Sequence, residues 1–223
     1  MSATANPGAA SGPTPNPARQ ERLALCDLMA GLGPDAPTRC DGWTTGDLAA
    51  HLVIREYRLD AGPGILFRPL AGYTERVQCA IKGSTTFLEL LDRIRQGPPK
   101  TSIWGLPGMD KLGNFVEFFV HHEDVRRAQA EWEVRSLPQE AEELLWRRLR
   151  MARFILRKVQ VEVTLVRPDG RTIRVSKGDR QVRVHGPVGE LTLWALGRAD
   201  VAQVRFTGDA DGLKSLADTR WSL

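Results

Sequence analysis

The apolar positions of this chain change period once, near residue 159. Before that point they recur every three or four residues, the helical spacing; after it they alternate, as in half-buried strands. Residues 18–32 carry Leu23, Leu25, Leu28, Met29 and Leu32 on one side. Gly33-Pro34 ends that run with a residue that accepts a left-handed backbone and one that cannot continue a helix. Thr44 and Asp47 have the spacing of a capping box, Asp replacing the usual Glu or Gln, and open a helix that runs to about Ala61. Its apolar face is Leu48, Ala49, Leu52 and Val53. A short helix is predicted over 73–81 and a stronger one over 85–96, stopped by Gly97-Pro98-Pro99. Residues 64–72 and 100–113 read as loops; the second contains Trp104 and Pro107 and leads into a helix over 114–131. A further helix opens near Pro138 and continues to 158.

Beyond 159, Val161, Val163 and Leu165 alternate with Glu162, Thr164 and Val166, and Pro168-Asp169-Gly170 turns the chain into a second strand over 172–175. A third strand is predicted over 181–184, a helix over 187–196, a fourth strand over 201–206 and a last helix over 211–217. The fold class is therefore α+β: a helical bundle over 18–158 and a small α+β domain over 159–223. Residues 1–17, rich in Pro, Gly, Ala and Ser, read as a disordered tail without the basic and apolar regions of a secretory signal.

Composition narrows the function classes. With 223 residues, 42% hydrophobic and 26% charged, the chain is long enough for a core and ordinary for a soluble globular protein. A formal net charge of +4 favours small anions but falls short of a nucleic-acid signature. The basic run Arg147, Arg148, Arg150, Arg153, Arg157 and Lys158 follows Glu140, Glu142 and Glu143 along one helix, an arrangement that complements the helix dipole, with Glu143 and Arg147 spaced as an ion pair. Nucleic acid is not an expected partner. No run approaches the length of a membrane span. Cys26, Cys40 and Cys79, at unrelated spacings, read as reduced thiols of a cytoplasmic protein. Monomer and homodimer are both open.

The candidate chemistry lies in the 114–131 helix. Glu117, His121, Asp124 and Ala128 share a face, flanked by Phe115, Phe118, Phe119, Val120 and Val125. A carboxylate and an imidazole set among aromatics are costly to bury without a partner. A divalent metal is one such partner; a solvated polar face or a Glu–His hydrogen bond are the alternatives. His51 lies beside the apolar face of the second helix, with Asp47 one turn before it and Arg55 one turn after. His51, Glu117 and His121 together offer two imidazoles and one carboxylate, a set that suits zinc and, less selectively, nickel, cobalt or iron. His122 is rotated by about 100° from His121 and is not counted as a ligand.

The pattern C-D-G-W-T-T-x-D-L-A-A-H-L over 40–52, followed by E-x-x-x-H-x-x-D-x-x-R-A over 117–128, resembles the mycothiol-dependent maleylpyruvate isomerase family, part of the DinB-like superfamily of metal-binding helical bundles. The resemblance implies an antiparallel four-helix bundle with a small C-terminal α+β domain. It also implies a metal, usually zinc, on His51, Glu117 and His121, and mycothiol as the thiol that enters the open coordination position and attacks an electrophilic carbon.

Three protein ligands leave one position open, as in catalytic rather than structural zinc sites. An open site either activates water for hydrolysis or holds a thiol as thiolate. The zinc-protease HExxH signature is absent, since His122-Glu123 is followed by Asp124-Val125-Arg126. Arg55, Arg126 and Arg198 are candidates to meet an anionic substrate, and Asp124 and Asp47 candidates to accept from the histidines. The loops 64–72 and 100–113, with the C-terminal unit, are expected to form the walls of the site. The leading reading is a thiol-dependent metalloenzyme, a transferase or isomerase acting on a small electrophile. The alternatives are a metal-containing binding or regulatory module without turnover and a metal-dependent hydrolase. No residue set identifies the substrate.

Overall fold

Each helix in the first half starts and stops where its terminal residues can satisfy the free backbone groups. The computed structural model describes residues 16–58, 60, 71–100, 102 and 114–219. Helix α1 (Pro17–Leu32) is capped by the Asn16 side chain and closed by Gly33 at φ 86°, whose N–H reaches the Met29 carbonyl. Helix α2 (Thr45–Tyr57) begins with the expected capping box of Thr44 and Asp47. It stops at Tyr57, short of 61, and the Tyr57 hydroxyl donates to the carbonyls of Arg93 and Gly97. Helix α3 spans Ala71–Ser84, longer at both ends than predicted. Helix α4 (Phe87–Gln96) has a second capping box, Thr86 with Glu89.

Helix α5 (Phe115–Arg126) is buried continuously from Phe118 to Val125. It ends five residues before the predicted limit. The Gln129 side-chain amide takes the Val125 carbonyl at 2.7 Å, and the Arg127 side chain leaves the helix line to bond Glu123 and Glu190. Helix α6 (Gln139–Leu149) follows Pro138 and also stops early. The chain turns at Met151, whose N–H bonds Arg148, then forms the short α7 (Ala152–Ile155) and a 3₁₀ turn over Leu156–Lys158. Glu143 does not pair with Arg147: Arg167 and Arg171 hold it instead, at 2.8 and 2.5 Å, and lower its pKa to about 2.

The C-terminal strands β1 (Glu162–Val166), β2 (Thr172–Arg174), β3 (Gln181–His185) and β4 (Arg205–Gly208) form a sheet of order β2-β1-β3-β4. β1 and β2 are the predicted hairpin, turned at Gly170 with φ 86°, while β1 and β3 run parallel. Strand β4 lies later than predicted. The residues over 201–204 bond to nearby carbonyls and, through Gln203 N–H, to Glu190, so pairing with β3 begins only at Arg205. Helix α8 (Val188–Ala195) connects β3 to β4 along the chain, and α9 (Ala210–Ala217) is the last helix of the described residues.

Two cores meet on α5. One joins α1, α2, α4 and α5 through Leu25, Met29, Leu48, Leu52, Leu91, Phe118 and Val125. The other joins a neighbouring side of α5, at Phe115 and Phe119, to α6, the sheet and α8. Helix α6 thus contributes Ala141, Leu145, Trp146 and Leu149 to the core that also holds the strands. Helix α8 approaches α5 closely at Gly189, where a Cβ would stand 3.0 Å from the Phe119 ring and push on it. No helix among the described residues is long and apolar enough to cross a membrane. The loops expected over 64–72 and 100–113, and the tail over 1–17, lie almost wholly outside the described residues.

Candidate metal centre

Helices α2 and α5 bring three distant side chains to one point. The Nε2 atom of His51 lies 3.4 Å from Glu117 Oε1, and the Nε2 atom of His121 lies 3.3 Å from the same oxygen. One ligand atom from each of the three residues lies within 4.8 Å of the others. The helical spacing of Glu117 and His121 sets that pair on one face of α5. His51 is fixed on α2 between the Trp43 ring, 5.0 Å away, and the His121 ring, 5.5 Å away and nearly perpendicular. Both imidazoles are buried, and Glu117 is partly open to solvent.

Opposing forces act on these three groups. Burial alone would raise the Glu117 pKa, but bonds from His121 and His51 and the charge of Arg55 hold it well below the usual carboxylate value. Burial pushes His51 down, with Glu117 offsetting part of the effect. Burial pushes His121 the same way, yet Asp124, Cys40 and Glu117 together raise it well above an ordinary histidine. An ionised carboxylate facing two Nε2 atoms is a donor set that could hold a divalent metal ion.

Behind His121 the arrangement continues. Asp124 Oδ2 lies 3.0 Å from His121 Nδ1, and Arg198 closes on both Asp124 oxygens, Nε at 3.0 Å and Nη2 at 2.8 Å. These partners outweigh the desolvation of the buried Asp124 and hold its pKa below the usual range. Cys40 Sγ sits 3.3 Å from Asp124 Oδ2 and 3.7 Å from His121 Nδ1. Cys40, His121 and Asp124 form a second group with metal-ligand spacing, sharing His121 with the first. The loop that carries Cys40 is tied down by a backbone bond from Arg39 to the Asp124 carbonyl and by a bridge between Pro37 and Thr44.

The other residues singled out from the sequence have separate partners. Arg55 stands by the site, its Nε 3.5 Å from Glu117 and its Nη1 bonded to Asn114. Asp47 does not reach His51: its carboxylate bonds Thr44 at the start of α2 and Lys82 of α3. Arg126 bonds Glu123 and the Glu133 carbonyl, on a different side of α5 from Glu117. His122 bonds Glu21. Cys40 and Asn114 were not picked out as site residues, although Cys40 opens the sequence pattern that contains His51.

No family model and no curated protein matches this chain. Among solved structures, a mutant of the mycothiol-dependent maleylpyruvate isomerase matches with a TM-score of 0.50 at 15% identity, over 86% of this chain and 90% of that one. This chain has that fold. The structure of the mycothiol-dependent maleylpyruvate isomerase itself matches over the same shares, at 14% identity and a TM-score of 0.47. The likeness is one of architecture, and the candidate ligands rest on the geometry of His51, Glu117 and His121 described above.

Proposed function

We propose that the protein is a metal-dependent enzyme that uses a small thiol, mycothiol in cells that make it, to transfer to or isomerise a small electrophilic substrate. The observation that carries this reading is the convergence of both Nε2 atoms on one Glu117 oxygen, 3.4 Å from His51 and 3.3 Å from His121. His51, Glu117 and His121 would hold one divalent cation, zinc foremost, and leave a coordination position for an outside ligand. When bound, such a cation supplies the Lewis acidity that keeps a thiol ionised at neutral pH, where a free thiol with a pKa of about 8.5 is mostly protonated.

The chain's own residues account for orientation and charge. Asp124 accepts from His121 and fixes its ring. Arg55 places a cation beside Glu117, suited to an anionic substrate that approaches the open side of the site. The fold likeness to a mycothiol-dependent enzyme is what favours a thiol over water as the outside ligand. The reading extends to the architecture: α1, α2, α4 and α5 as a DinB-like antiparallel four-helix bundle with the metal between α2 and α5.

Cobalt substitution tests the proposal. Adding mycothiol to the cobalt protein is expected to produce an intense near-ultraviolet sulfur-to-cobalt absorption band and to release a proton at pH 7. A cobalt spectrum that no thiol perturbs contradicts a thiol-dependent activity and leaves a metal-binding module.

A further inference from the structure

Arg198 is outside the helix that carries two of the candidate ligands, yet its guanidinium is committed to that helix. It follows α8 in a turn fixed by its own N–H on the Leu193 carbonyl at 2.9 Å. Its Nη1 donates to the Leu196 carbonyl at 2.8 Å, while Nε and Nη2 donate to the two oxygens of Asp124. The Asp124 side chain is wholly buried. It takes four donors: two from Arg198, one from His121 Nδ1 and one from the Cys40 thiol.

We propose that Arg198 is a positioning residue of the metal centre, which acts through Asp124 to fix the His121 ring rather than clasping the substrate. This rests on the metal reading given above. Arg198 spans both oxygens of the buried Asp124 carboxylate and so fixes its plane. Held in that plane, Asp124 Oδ2 meets His121 Nδ1 at 3.0 Å, which sets the ring with Nε2 facing Glu117. The planar fork matters as well as the charge, because lysine cannot reach both oxygens in one plane. The two-pronged face that a substrate carboxylate would need is the one closed on Asp124. The C-terminal unit thereby contributes directly to the geometry of a site whose ligands lie on α2 and α5.

The test is a double-mutant cycle on zinc affinity, measured by competition with a chromophoric chelator. Asp124→Asn and Arg198→Met should each weaken zinc binding by about 10- to 100-fold, and the double variant no more than the larger single loss. Arg198→Lys, less disruptive to folding, should fall between wild type and Arg198→Met. Zinc affinity unchanged in Arg198→Met, or losses that multiply in the double variant, overturns the inference. A second arm needs no metal: the His121 ring NMR signals of metal-free protein at one fixed pH. Arg198→Met should move them in the wild-type background and leave them unchanged in Asp124→Asn. If the wild-type protein takes up no zinc, the proposed function fails and this arm alone decides the positioning role; His121 signals unmoved by Arg198→Met refute it.

Discussion

His122 bonds Glu21 through Nδ1 at 2.7 Å, so the two adjacent histidines of α5 serve different ends. His121 faces Glu117 and His51, while His122 joins a buried ionic network in which Arg135 bridges Glu21 and Glu123, and Arg127 bridges Glu123 and Glu190. That network ties α1 and α5 to α8.

It also sets an acid limit on stability. Burial raises the pKa of Glu21, but His122 and Arg135 pull it below 4.5; burial likewise raises Glu123, and Arg135, Arg127 and Arg126 pull it below. Groups with depressed folded pKa values stabilise fully above the unfolded value and lose that contribution as pH falls through the folded one. With metal chelated, the difference in urea midpoint between wild type and Glu21→Gln should hold steady from pH 7 to about 5 and then narrow. Glu21→Gln should cost about 2 kcal/mol at pH 7 and show a shallower acid limb. Wild-type and variant curves that stay parallel down to acid pH contradict this assignment.

The cysteines should separate by access. Burial pushes the Cys26 thiol up to about 12, and it is fully enclosed beside the Leu91 carbonyl. Cys79 is exposed on α3. Alkylation at pH 7.5 followed by peptide mass spectrometry should label Cys79 rapidly and Cys26 only after unfolding. Labelling of Cys26 at the rate of Cys79 in folded protein contradicts the packing of α1 against α4.

Much of the fold was legible because local chemistry fixes it. The capping box at Thr44–Asp47, the glycine stops at Gly33 and Gly97, and the turn at Gly170 each act within a few residues. Glu117 and His121 were legible for the same reason, being one helical turn apart. What the pattern could not show depends on distant partners. Cys40 meets Asp124 across 84 positions, through a loop pinned by Arg39, and Arg198 meets Asp124 across 74. The packing of α6 against α8 likewise joins residues far apart along the chain, and nothing local in either helix announces it. Asp47 illustrates the reverse: one residue had two candidate roles, and the cap and Lys82 took it.

That assignment can be checked. Asp47→Ala should destabilise the protein by about 1 kcal/mol through loss of the cap and leave metal content unchanged. A variant that folds as well as wild type yet loses its metal would return Asp47 to a role behind His51.

The central claim is the ligand set, and metal content measures it most directly. After exposure to zinc and exhaustive dialysis, the wild-type chain should retain one zinc per chain by mass spectrometric metal analysis. His51→Ala, folded by circular dichroism, should retain almost none, because a two-residue remnant of Glu117 and His121 lacks the third donor that zinc sites use. Full zinc content in His51→Ala would contradict the account.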